Sequence, residues 1–167
     1  RSASVQVRGG VLEVVIEERL PAMIWRNGNG LDLVDVNGHR VARLANRAAR
    51  PDLPLIAGDG ATDAIDEAHV LWAAAAPLHG RLRGMVRVGE RRWDVVLDRD
   101  QRILLPASGA RAALERVIAL DMAQDILARD VQVVDLRNPA RPTLRLSSEA
   151  MAELTRIRRE SSGASNR

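Results

Sequence analysis

The chain has 167 residues, 46% hydrophobic and 28% charged, which fits a soluble globular chain of one compact domain plus a fragment of a second. Its net charge is only +3; the sequence pI near 10.9 arises because all 25 basic residues are arginine and Tyr and Cys are absent, leaving few groups to titrate between about pH 8 and 12. Three Trp are the only aromatic residues, so stacking platforms are scarce and nucleic acid is excluded as a partner, while the lack of cysteine excludes disulfides, thiolate nucleophiles and Cys-based metal sites.

Ser2 to Arg8 and Leu12 to Glu18 alternate around Gly9-Gly10 and predict a hairpin, with Val5, Val7, Leu12, Val14 and Ile16 on its buried face. Two strands cannot hold a core, so this hairpin either ends a domain that begins upstream or leans on the chain after Pro21, and the first is preferred. The chain opens at Arg1 without a methionine, signal peptide or anchor, so it reads as a piece of a longer chain and would meet a membrane only through an anchor outside this sequence. The longest apolar run, Val70 to Leu78, is too short to span a bilayer and contains Pro77.

Pro21 marks a boundary, and a strand over Ala22 to Trp25 begins directly after it. Leu31 to Val36 and Arg40 to Leu44 flank Asn37-Gly38, which predicts a hairpin with a type I′ turn. Ala45 to Asp52 reads as an exposed loop. Leu53 to Ile56 is a short strand that its proline should confine to an edge or a bulge. A helix is expected from about Asp63, as N-cap, to Ala76. Val86 to Val88, Arg92 to Leu97 and Ile103 to Leu105 alternate as antiparallel strands, with Trp93, Val95 and Leu97 on one face. Gly109 to Arg129 is a long helix by the spacing of Leu114, Val117, Ile118, Met122 and Ile126. Val131 to Arg137 and Pro142 to Ser147 form a last hairpin. Ser147 and Ser148 then cap a short helix ending near Arg159, before a polar tail from Ser161. The fold class is α+β: an antiparallel, hairpin-rich β-sheet packed with two main helices, preceded by the last strands of another domain.

The residues offer no catalytic constellation. His39, His69 and His79 lack ligand spacing. Gly58 to Asp63 faintly resembles a calcium loop without its closing glutamate. Asp98 and Asp100 sit at a hairpin tip where water screens them. No serine lies in a nucleophile elbow. The chain is expected to be no enzyme and to need neither cofactor nor metal. What remains is a surface. No later strand covers the final one, in which Leu144 and Leu146 alternate with Thr143 and Arg145. That edge either accepts a strand of another chain or is guarded by Arg145 and the tail helix.

Glu17-Glu-Arg-Leu-Pro21 before an apolar-Trp segment, Gly89-Glu-Arg-Arg-Trp-Asp-Val-Val-Leu97, Ile103-Leu-Leu-Pro106, Ala113-Leu-Glu-Arg116 and Val134-Asp-Leu-Arg137 together resemble the bacterial FtsQ/DivIB cell-division family. The resemblance implies a bitopic inner-membrane protein with a periplasmic POTRA domain and a β domain. Residues 1–20 would be the end of the POTRA domain, 21–147 the β domain, and 148–167 a terminal helix and tail. It implies a non-enzymatic divisome scaffold at the septum, whose last strand takes a strand from FtsB, with FtsL in the same complex. The implied partner-binding residues are Arg137, which matches a position pairing with an acidic FtsB residue, and Asn138, Ala140, Thr143, Leu144, Arg145 and Leu146; Arg91 and Arg92 lie near a second basic family position. The chain departs from the family in carrying Asn138 where some members have an aromatic residue, and Leu146 in place of a terminal tryptophan. A POTRA-type module of an outer-membrane transport system is the alternative, but it would require a long C-terminal barrel.

Overall fold

The computed structural model describes residues 2–153, 155 and 156. Strands β1 (Ser2–Arg8) and β2 (Val11–Glu17) make a two-stranded sheet of their own. Gly9 and Gly10 both take positive φ, as a two-residue type I′ connection requires. Register sets Val5 opposite Val14 and Val7 opposite Leu12, so the four share a face as expected. That face is not buried: they are 59%, 48%, 74% and 63% exposed, in that order, because no second layer covers them among the described residues. The side chain of Ile16 lies outside the described residues.

From Met23 onward one sheet organises the chain. Its strands are β3 (Met23–Asn27), β4 (Gly30–Val34), β5 (Arg40–Leu44), β6 (Leu55–Ala57), β7 (Leu82–Val88), β8 (Arg92–Leu97), β9 (Arg102–Leu104), β10 (Val131–Asp135) and β11 (Thr143–Leu146). Helix α1 (Ile65–Ala74) connects β6 to β7, and α2 (Ala110–Gln124) connects β9 to β10. The spatial order is β11-β10-β9-β8-β7-β6-β3-β4-β5. Hairpins dominate, but β3–β6, β6–β7 and β9–β10 pair in parallel. Parallel neighbours need a crossover, and both helices are such crossovers. Each steps in the same direction along the sheet, so a shared hand puts both helices on one face. That face buries Met23, Ile56, Met85, Trp93, Val95, Ile103 and Val134 against Leu71 of α1 and Leu114 and Val117 of α2.

Several local expectations are corrected. The strand expected at an edge because of Pro54 lies inside the sheet, between β3 and β7. Pro54 precedes its first residue and accepts the Ile24 N–H at 2.8 Å through its carbonyl, so the missing donor takes nothing from the ladder. Helix α1 starts at Ile65 rather than Asp63, with no side-chain cap. Helix α2 stops at Gln124, not Arg129. Asp125 turns left-handed there (φ 51°), and the Asp121 carboxylate accepts the Leu127 N–H at 2.7 Å. Met122, expected on the buried face, is 77% exposed. The Asn37-Gly38 turn is not type I′, since only Gly38 has positive φ; Asp35 Oδ1 instead accepts the N–H groups of Asn37 and His39, both at 2.9 Å. Paired positive φ values occur at Gly89-Glu90 and Arg99-Asp100, the turns joining β7 to β8 and β8 to β9. Residues 148–153 are helical, with Ser147 Oγ accepting the Ala150 N–H at 3.1 Å as a cap. The expected helix end near Arg159 and the tail beyond it lie outside the described residues.

Candidate functional site: the β11 edge and the helix-free face

Strand β11 ends the nine-stranded sheet and pairs only with β10. Its Ser147 boundary shows which way its backbone points. The Ser147 N–H donates inward to Asp130 O at 2.9 Å. The register irregularity falls between Val131 and Val133, on β10, so alternation along β11 is unbroken. Arg145 and Thr143 therefore also turn their N–H and C=O groups toward β10, while those of Leu144 and Leu146 point outward. Among the described residues no strand pairs with that outer side.

Side chains alternate too. Leu144 stands opposite Val134 on the helix side of the sheet, yet it is 52% exposed. Leu146 is half-buried against the core. Thr143 and Arg145 lie opposite Asp135 and Val133, on the helix-free face. In the preceding loop Asn138 Oδ1 accepts the Ala140 N–H at 3.0 Å, so Asn138 shapes the turn into β11. The structure thus gathers every residue of the expected primary site, Arg137 to Leu146, on one edge hairpin.

Arg137 is already engaged. Its guanidinium grips Asp135 with Nη2–Oδ2 at 2.6 Å and Nε to both carboxylate oxygens at 3.0 Å, and its backbone N–H donates to Asp135 Oδ1 at 3.0 Å. This fork holds the Asp135 carboxyl below its ordinary range and raises Arg137 in turn. The clamp was not anticipated, although the signal was present: Asp135 and Arg137 are two residues apart at a strand end, which puts both on one face. Of the secondary pair, Arg91 is exposed at the β7–β8 turn, whereas Arg92 bonds Asp94. Burial pushes the Asp94 carboxyl up, against the charges of Arg92, Arg102 and Arg137. Asp94 pairs with Leu104 and Leu104 with Asp135, so Arg92 and Arg137 flank one row across the sheet. Arg92 joins the site's electrostatics.

Beside the edge runs a groove of about 560 Å³, lined among others by Arg102, Leu104, Val133, Arg145, Leu146 and Met151. Arg102, Leu104, Val133 and Met151 were not expected there, because the parallel pairing of β9 with β10 has no local signature in the sequence.

The histidines are scattered: His39 lies 3.5 Å from Asp35, and His79 stacks on Trp72 with ring centroids 4.0 Å apart. Asp98 is bound by Arg81, Nε–Oδ1 3.0 Å, and is part of the fold rather than a solvated tip. Among the described residues no group of three or more potential metal ligands converges, and none forms a helix long and apolar enough to cross a membrane.

Comparison with known proteins bears on this geometry. The family model for the C-terminal part of cell division protein FtsQ/DivIB matches residues 23–137. Cell division protein FtsQ of Roseobacter litoralis is 62% identical over 151 residues, covering 90% of this chain and 52% of that protein. The Paracoccus denitrificans protein of the same name is 53% identical over 150 residues, covering 90% of this chain and 44% of its own. For that of Caulobacter vibrioides the identity is 36% over 126 residues, covering 75% and 41%. The chain spans about half the length of the curated relatives it matches, 52% and 54% of two of them.

Proposed function

The chain belongs to the FtsQ/DivIB cell-division family, and from that premise we propose that it is part of a non-enzymatic division scaffold whose β11 edge docks a strand of FtsB, with FtsL in the same complex. It acts at the division septum, on the periplasmic side of the inner membrane, held by an anchor outside this sequence. Residues 21–147 are the β domain. Residues 1–20 are the end of a POTRA domain, a reading supported by the uncovered face of Val5, Val7, Leu12 and Val14.

The observation that carries the proposal is the outer side of β11, where Leu144 and Leu146 present backbone donors and acceptors to no strand of this chain's described residues. Unpaired edges invite strand addition. Backbone pairing survives the absence of the family's aromatics at Asn138 and Leu146, since it uses N–H and C=O groups. Arg137 sits beside this edge, where its fork to Asp135 leaves the side chain 54% exposed to an acidic partner residue. Arg92 and Asn138 then act locally, the first on the field and the second on the turn.

Leu144→Pro tests this. The substitution deletes an N–H that β10 does not use, so the fold, checked by circular dichroism, is expected to survive. Calorimetric titration with the periplasmic segment of the cognate FtsB should show saturable binding by the wild-type chain, lost in the variant. Equal binding by both would move the interface away from β11.

A further inference from the structure

The helix-free face of the sheet holds a second feature that the edge does not need. Toward its middle, β3, β6, β7, β8 and β9 enclose a basin of about 440 Å³. Its floor is apolar: Leu55, Ala57, Val86 and Val96 are half-buried, and Gly84 is buried against Leu55. Four arginines stand around it, Arg26, Arg47, Arg83 and Arg102, and no carboxylate lines it.

Counter-charge reaches the basin only without contact: Asp94 acts on Arg102 and Asp98 on Arg83 through space, and neither forms an ion pair with it. The register puts Asp94 and Asp135 on this face, but Asp94 is bonded by Arg92 and Asp135 by Arg137. Among the described residues none of the four basin arginines forms an ion pair. Arg47 gives its guanidinium to backbone carbonyls, including Leu53 O at 2.9 Å. Cations gathered over apolar floor are complementary to a segment carrying both carboxylates and apolar side chains. The basin adjoins the edge groove, for Arg102 lines both.

We propose that the basin takes an acidic, amphipathic segment of the same polypeptide that docks on β11, a reading that rests on the edge interface proposed above. The segment flanks the docked strand and crosses the open face. From β11 to β3, which carries Arg26, is six inter-strand steps, about 29 Å at ~4.8 Å each. An extended stretch of about nine residues covers that span, or a helix of about nineteen. Its apolar side chains lie on Leu55, Val86 and Val96, and its carboxylates meet Arg26, Arg83 and Arg102.

The test uses two ligands and two proteins. The ligands are the whole periplasmic segment of the cognate FtsB and a peptide restricted to its docking strand; the proteins are the wild-type chain and Arg26→Glu/Arg83→Glu. Both arginines are exposed and remote from β11, so the double variant keeps its fold and its edge. The whole segment should bind the wild-type chain at least tenfold tighter than the strand peptide, with a gain that shrinks as salt rises. The double variant should bind both ligands with the affinity of the strand peptide alone. A whole segment no tighter than the strand peptide, or a double variant that keeps the full gain, overturns the inference and leaves the edge reading standing. If neither ligand binds the wild-type chain, both readings fall. Phosphatidylglycerol vesicles form the last arm: retention that the double variant loses, with whole-segment binding intact, would assign the basin to lipid and also overturn the proposal.

Discussion

Gln101 offers the sharpest quantitative check on how the edge is held. It comes directly after the β8–β9 turn, is 2% exposed, and spends its whole amide on the fold. Its Nε2 donates to Val131 O at 2.6 Å and Leu127 O at 3.2 Å, and its Oε1 accepts Arg81 Nη2 at 2.8 Å. Val131 stands opposite Leu146, beside the irregularity in β10, so this side chain ties the turn to the strand that carries the edge. In Gln101→Leu the volume is nearly kept, and two of the three partners retain other bonds. Leu127 O still receives Arg99 Nη2 at 2.9 Å, and Arg81 Nη2 still reaches Asp98 Oδ1 at 2.9 Å. The penalty falls on the Val131 carbonyl, at about 1–3 kcal/mol for a buried acceptor deprived of its donor, plus roughly 1 kcal/mol for the other lost bonds. The expected total is about 2–4 kcal/mol, read as a lower urea midpoint with an unchanged slope and a melting temperature down by about 5–12 °C. Hydrogen exchange should quicken at Ser147, whose N–H pairs with Asp130. A loss below about 0.5 kcal/mol would show that the network around Gln101 is not what holds β10 in place.

Three other outcomes are expected. Gly38→Ala should destabilise the chain by about 2 kcal/mol or more in urea unfolding, because the site has φ +80° and the new Cβ would lie 2.3 Å from Thr62 O; an unchanged midpoint would refute the geometry of that turn. Asp135 has a folded-state pKa depressed by Arg137, so its contribution to stability is present above the unfolded value near 3.8 and is lost as pH falls through the lowered folded value. Asp94 runs the other way: burial raises its pKa, so its ionisation opposes folding and that opposition fades as pH falls through the raised value. In Arg137→Ala, carboxyl carbon NMR should find Asp135 titrating nearer the ordinary value; an unshifted titration would mean the fork does not set it. Arg137→Glu should weaken FtsB binding roughly tenfold and recover in part against a segment with the opposing charge reversed, and no recovery would remove Arg137 from the contact.

The parts legible in the sequence were those with local causes. Gly9-Gly10 announced a turn because few other residues take positive φ twice in succession, and Trp93, Val95 and Leu97 announced a buried face by their period of two. Nothing local could tell that Leu55–Ala57 joins β3 to β7, since parallel pairing depends on crossovers rather than on neighbours. Helix α2 reads too long in the sequence because its apolar spacing continues to Ile126, which is buried after the chain has already left the helix at Asp125. The edge itself was readable, since no stretch after Leu146 in this sequence reads as a strand, and among the described residues none pairs with the outer side of β11. Its surroundings were not. Arg102 and Val133 share the groove only through the β9–β10 pairing, and the four basin arginines come from β3, the loop after β5, β7 and β9.

The most direct test of the edge is amide hydrogen exchange, monitored by NMR residue by residue along β11, with and without a saturating FtsB periplasmic segment. Strand addition predicts strong slowing at Leu144 and Leu146, whose N–H groups face outward, and little change at Thr143 and Arg145, which already face β10. Saturated binding that leaves Leu144 and Leu146 exchanging as in the free chain would contradict it.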